Sequence, residues 1–133
     1  MDKLKVLIIE DVKVRQNLIK EKTDIPDADC TQYADEALEL LKTHDYDLIF
    51  LDHDLIGAKS GSYLTENWYK NKEEIKTIKP VIIIHSMNME GATKMENYLK
   101  GISKVTSRIP FREIVLGEVD LKERVQQLIN LTA

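Results

Sequence analysis

The sequence predicts one doubly wound α/β domain, a five-stranded parallel sheet with helices on both faces. Three observations carry that prediction. Strand-like and helix-like segments alternate five times along 133 residues, the connectors are short, and three of the strand-like segments are unbroken apolar runs. Continuous Val/Ile/Leu runs, in place of in–out alternation, belong to strands covered on both faces, and such strands pair in parallel. The length suits a single domain spanning 1–133.

Each element follows from its local pattern. "LKVLII" (4–9) is a β-branched run that ends at Glu10 and Asp11. In 13–22, Val14, Leu18 and Ile19 recur at helical spacing. Pro26 turns the chain, and "DCTQYA" reads as a weak second strand. Residues 35–44 form an amphipathic helix with an acidic first turn. "DLIFLD" (47–52) is the second apolar run, and 62–75 is helical with Leu64, Trp68 and Ile75 inward and Tyr69 at a more exposed edge. "PVIIIH" (80–85) is the third apolar run. A helix over 89–100, a weaker strand over 102–110 and a closing amphipathic helix over 120–131 complete the chain.

Composition narrows the function classes. Hydrophobic residues at 43% and charged residues at 32% support a core and exclude a disordered chain. The formal charge of −4 and the mixed-sign runs "KEKTD" and "KNKEEIK" give no basic stripe for nucleic acid. No run approaches a membrane span of about 20 apolar residues, and no leader pattern opens the chain, so a cytoplasmic protein is expected. The lone Cys30 is read as a packing residue.

In open parallel sheets the ligand site lies beyond the carboxyl ends of the strands. Here the three strongest strands end in Glu10-Asp11, Asp52-His53-Asp54 and His85-Ser86. If those strands are neighbours, their polar tips converge. Clustered carboxylates repel one another, and a hard divalent cation such as Mg²⁺ removes that penalty. Asp11 and Asp52 are the expected direct ligands, with Glu10 assisting and the Asp54 carbonyl as a further ligand. A bound Mg²⁺ would hold a phosphoryl group against Asp52, the candidate nucleophile, with Ser86 or His85 bonding its oxygens. The same acids could instead cap helices or solvate turns.

"KVLIIEDV", then "DYDLIFLDHDL…SG", "KPVIIIHS" and a Pro-Phe after the fifth strand resemble the receiver domain of two-component response regulators over nearly the whole chain. The resemblance implies a flavodoxin-like (βα)5 fold with strand order 2-1-3-4-5, Mg²⁺ at the acidic pocket and phosphorylation of Asp52. It also implies a histidine kinase as phosphodonor. Two positions depart from the receiver pattern. His85 stands where receivers end the fourth strand with Thr or Ser, and Ile109 stands in the lysine position before Pro110. Arg108, one residue earlier, replaces that lysine as a phosphate-binding group only if the strand is irregular, because a one-residue shift points the other way.

A narrower resemblance fits the departures. "LDHDL" and "HSMNMEGATKM" are similar to a receiver-derived family predicted to process cyclic phosphates. The shared positions are Asp52, His53, Asp54, His85, Ser86, Asn88, Gly91 and Met95. That resemblance implies His53 and His85 facing a small phosphoester as acid and base, with a metal and with Asn88 near the ligand. Three readings follow: a stand-alone receiver phosphorylated on Asp52, a metal-assisted phosphoesterase, and a degenerate receiver that only binds a protein. With no helix-turn-helix after the last predicted helix, output is expected through a protein docking on the last two helices. Taken residue by residue, His53 points away from the pocket if its strand runs on regularly, Asn88 caps the following helix, and Gly91 marks a close approach. Many receivers place a cis peptide before the proline that Pro110 matches, but the sequence itself gives that bond only the low base rate of an X-Pro peptide.

Overall fold

The computed structural model describes residues 3–131. Strands β1 (Val6–Ile9), β3 (Leu48–Leu51) and β4 (Val81–Ile84) are buried throughout. The shorter or more polar β2 (Asp29–Thr31) and β5 (Val105–Arg108) lie at the edges, where a strand is covered less. All pairs are parallel and the sheet order is β2-β1-β3-β4-β5, as the receiver resemblance implies.

Alternate residues of the central strands feed two cores. Leu7, Ile9, Ile49, Leu51, Ile82 and Ile84 face α2 (Ala34–Thr43), α3 (Gly61–Lys70) and α4 (Met89–Leu99). Val6, Ile8, Leu48, Phe50, Val81 and Ile83 face α1 (Lys13–Thr23), α5 (Phe111–Val115) and α6 (Leu121–Leu131). Trp68 is fully buried and Tyr69 exposed, as helical spacing predicts. Two elements differ from the sequence reading. The third helix ends at Lys70, with Asn71 as its cap and a 3-10 turn at Lys72–Glu74, yet Ile75 still turns inward. The five-residue α5, with Pro110 at its N-cap, fills the stretch between the predicted fifth strand and the closing helix, where the sequence pattern assigns no element. No cis peptide occurs among the described residues, so Ile109–Pro110 is trans, in keeping with the low base rate of cis bonds. No described helix is long and apolar enough to cross a membrane.

Register positions the site. Ile9 is level with Leu51, Leu51 with Ile84, and Ile84 with Arg108. The ladder then continues one step: Asp52 N–H donates to the Ile9 carbonyl at 3.0 Å, His85 N–H to Leu51 at 3.1 Å and Ile109 N–H to Ile84 at 2.9 Å. Residues 10, 52, 85 and 109 therefore end four neighbouring strands at one height.

Candidate functional site

Strand parity decides which side chains meet. Residues 10, 52 and 85 share the parity of Ile8, Phe50 and Ile83, so they turn toward the α1/α5/α6 side of the sheet. There the His85 Nε2 lies 3.0 Å from Glu10 Oε1, with both side chains wholly buried. Each of Glu10, Asp52 and His85 offers a ligand atom within 4.8 Å of the others. The second Glu10 oxygen accepts the Val12 N–H at 3.0 Å, and Gln16 Nε2 donates to the Glu10 carbonyl at 2.7 Å, which fixes the start of α1 over the pocket. The imidazole of His85 is flanked by the rings of Phe50 and Phe111 at 6.4 and 6.2 Å between centroids.

The electrostatics follow from burial. Loss of water raises the Glu10 carboxyl to about 7, and its hydrogen bond with Asp11 adds to the rise. Burial also raises Asp52, partly offset by the charge His85 can carry. His85 is held down at about 4, because burial disfavours the imidazolium more than the Asp52 charge favours it. Near neutrality the imidazole is therefore neutral and Glu10 is in part protonated. The His85 Nδ1 has no hydrogen-bond partner among the described residues, a deficit that ordinarily costs about 1–3 kcal/mol. A donor set with one unsatisfied buried atom and two carboxylates pushed toward protonation is poised to release protons to a cation.

His53 turns to the opposite face. Its Nε2 lies 2.9 Å from Ser62 Oγ at the start of α3, and its Nδ1 lies 3.0 Å from Asp54 Oδ1 and 3.3 Å from Asn88 Nδ2. Asn88 caps α4 by accepting the Gly91 N–H at 2.9 Å. The ring of His53 fills the space beside Gly91: a Cβ there would stand 2.4 Å from two ring carbons. Gly61 makes a similar close approach to the Met95 sulfur and to the Asp52 carbonyl, at 2.5 and 2.6 Å from an ideal Cβ. His53, Asn88, Gly91 and Met95 thus form one packing unit that ties the β3–α3 loop to α4. The unit meets the acidic cluster where His53 N–H donates to Asp52 Oδ1 at 2.8 Å.

The structure therefore brings together Glu10, Asp52 and His85, but not every expected group. Asp11, expected as a direct ligand, is half-buried beside Glu10 and outside the three-residue group, because it lies past the end of the ladder. The Asp54 carboxylate is 73% exposed and serves His53. Ser86 is buried, and its Oγ accepts the Asn88 N–H at 3.0 Å. Arg108, expected among the phosphate-binding groups, is held by α4 instead. Its Nε donates to Glu96 at 2.8 Å and an Nη to Thr93 at 2.9 Å, since β5 stays regular through this residue and points it to the other face. Level with the cluster on β5 is Ile109, which is buried in the core. Sequence reasoning missed Ser62; only the fold brings its hydroxyl to His53.

The fold is that of solved receivers. The receiver domain of Francisella response regulator 1452 is 28% identical, with 98% of this chain and 100% of that chain covered at a TM-score of 0.61. The phosphorylated cyanobacterial phytochrome response regulator RcpA is 18% identical, with 99% and 97% covered at 0.67. Thermotoga maritima TrrA, solved in complex with Mg²⁺–BeF, is 20% identical, with 95% and 99% covered at 0.65. No curated protein sequence matches the chain. The family model described as the cyclic-phosphate processing receiver domain matches residues 6–101, a span that holds the Asp-His-Asp and His-Ser-x-Asn motifs whose geometry is given above. On that match, the chain belongs to the family of cyclic-phosphate processing receiver domains.

Proposed function

We propose that the chain is a metal-assisted phosphoesterase acting on cyclic phosphates, with Glu10, Asp52 and His85 as the cation-holding residues. The observation that carries this reading is the wholly buried His85 imidazole, 3.0 Å from Glu10 and grouped with Asp52 at the end of the central strands. Metal–ligand bonds of about 2.0–2.2 Å place two donors at most roughly 4.4 Å apart, so atoms lying within 4.8 Å fit one ion after a small contraction. Two carboxylates with one imidazole suit Mn²⁺ or Zn²⁺ better than the all-oxygen preference of Mg²⁺. A cation there would polarise a phosphoryl oxygen and lower the pKa of a bound water.

The chain's own residues supply the rest. In the proposed hydrolysis a water oxygen bonds to phosphorus and one ring P–O bond breaks. The released alkoxide takes up a proton, leaving a phosphomonoester. The proton lost by the water and the proton gained by the leaving oxygen are exchanged with solvent, while Glu10, whose carboxyl is raised by burial, gives up its own proton to hold the cation. Ser86 accepts the Asn88 N–H, which leaves its O–H to donate toward a phosphoryl oxygen. His53, committed to Ser62 and Asp54, is reassigned from acid–base partner to positioning residue for the Asp52 loop.

A second reading keeps Asp52 as a phosphoryl acceptor served by a histidine kinase, with a downstream protein docking on the last two helices. What favours it is the position of Asp52 at the end of β3 in a fold shared with a phosphorylated regulator and one solved with Mg²⁺–BeF. What weakens it is Ile109 and the outward Arg108 in place of a phosphate-facing cation. One experiment separates the two. The protein with Mn²⁺ or Mg²⁺ is offered 2′,3′-cyclic nucleotides and, separately, acetyl phosphate. Turnover lost in His85→Ala supports the esterase; a stable adduct lost in Asp52→Asn without turnover supports the acceptor.

A further inference from the structure

On the same edge of the sheet, a cleft of about 500 Å³ opens beside the cluster. One wall is the β4–α4 loop, with Ser86, Met87 and Met89; the other is the β5–α5 segment, with Pro110, Arg112 and Glu113, and Glu118 also lines the space. We propose that this cleft is a subsite for the flat ring of a nucleobase carried by the phosphate ester. The inference deepens the esterase reading and rests on it.

Four observations support this occupant. The volume falls within the range of small-molecule sites. Met87 and Met89 are 52% and 63% exposed, and two adaptable thioethers facing one space suit the face of an aromatic ring better than sugar hydroxyls. Ser86 belongs to the cleft and follows His85 directly, so a ligand with its ring between the methionines extends its phosphate toward the cluster. Finally, Glu113 and Glu118 outnumber Arg112, a charge balance that disfavours a second phosphate in the cleft. The carboxylates can accept from the amino and ring N–H groups of a base, and the guanidinium can donate to a ring nitrogen or carbonyl. The wall from Pro110 to Glu118 lies outside residues 6–101, the span that the family model matches.

The test uses the full chain with methyl-¹³C methionine, followed by NMR during titration with adenosine, uridine or ribose. Saturable shifts of the Met87 and Met89 methyls with either nucleoside, none with ribose, and a still signal for the fully buried Met95 are expected. No shift up to about 10 mM nucleoside, a concentration that excludes any useful affinity, or equal shifts with ribose, would overturn the subsite. Kinetics provide the second readout: kcat/KM for 2′,3′-cyclic AMP over that for ribose 2′,3′-cyclic phosphate is expected at about tenfold or more. That ratio should fall severalfold, mainly through KM, in the Met87→Ser/Met89→Ser protein. Equal use of both substrates without methionine shifts removes the subsite and leaves the esterase standing. Nucleoside-dependent shifts with both substrates inert remove the esterase and leave the subsite.

Discussion

Replacing Gly91 by alanine probes the packing unit that holds the Asp52 loop. An added Cβ would stand 2.4 Å from Cγ and Cδ2 of His53 and 2.8 Å from Nδ1. The ring cannot slide aside freely, because Ser62 at 2.9 Å and Asp54 at 3.0 Å hold its two nitrogens. Overpacking of this kind costs about 1–3 kcal/mol, and the better helix propensity of alanine returns up to about 1 kcal/mol. The expected net loss is therefore about 1–2 kcal/mol. Urea unfolding followed by the fluorescence of Trp68 reads it directly, as a lower midpoint at constant slope. The same substitution in a His53→Ala background meets no ring, so it should be neutral or slightly stabilising. The cycle should then show a coupling of about 2 kcal/mol. Equal losses in the two backgrounds would refute the argument, since the cost would then come from the helix and not from the histidine.

Three further outcomes are expected. Glu10, raised to about 7, contributes stability that is full below its unfolded value of 4.5 and lost as pH rises toward 7, whereas His85, lowered to about 4, contributes stability present above 6.5 and lost as pH falls toward 4. The two trends oppose each other, so Glu10→Gln should gain stability relative to the parent as pH rises from 4.5 to 7 in pH-resolved urea melts; a parallel pair of curves would count against the raised Glu10 carboxyl. Cation binding must displace the Glu10 proton, so Mn²⁺ affinity by calorimetry should rise with pH up to about 7, with proton release seen as a buffer-dependent enthalpy. Arg108→Ala should leave cation affinity intact and cost less than about 1 kcal/mol, because its partners Glu96 and Thr93 sit on α4; a large loss of affinity would place the guanidinium in the pocket after all.

Much of the fold was legible because the central strands are apolar on both faces. β1, β3 and β4 carry no polar residue to blur their ends, and their tips announced Glu10, Asp52 and His85. The convergence of those tips needed only parallel neighbours in register. Parity also anticipated that Arg108 would leave the pocket because β5 stays regular through it, whereas β3 ends at Leu51 and His53 reaches the opposite face through its bonds to Ser62 and Asp54. Helix α5 escaped notice because five residues are too few to display a helical period. The choice between Asp11 and His85 as third member of the cluster depended on where β1 stops pairing, and no local pattern encodes that. Likewise, Ser62 gives no chemical signal of its own. Its relation to His53 arises from a loop that folds back over α3, with the Gly61 N–H donating to the His53 carbonyl at 2.6 Å.

That loop gives the pocket its mechanical character. The backbone of His53 grips the Asp52 carboxylate while its ring is pinned to the first turn of one helix and the cap of the next. A cation site with slack there would spend binding energy on rearrangement; the proposed one has little slack to take up. Selectivity among cations should accordingly reflect ionic radius and ligand preference more than any closing motion.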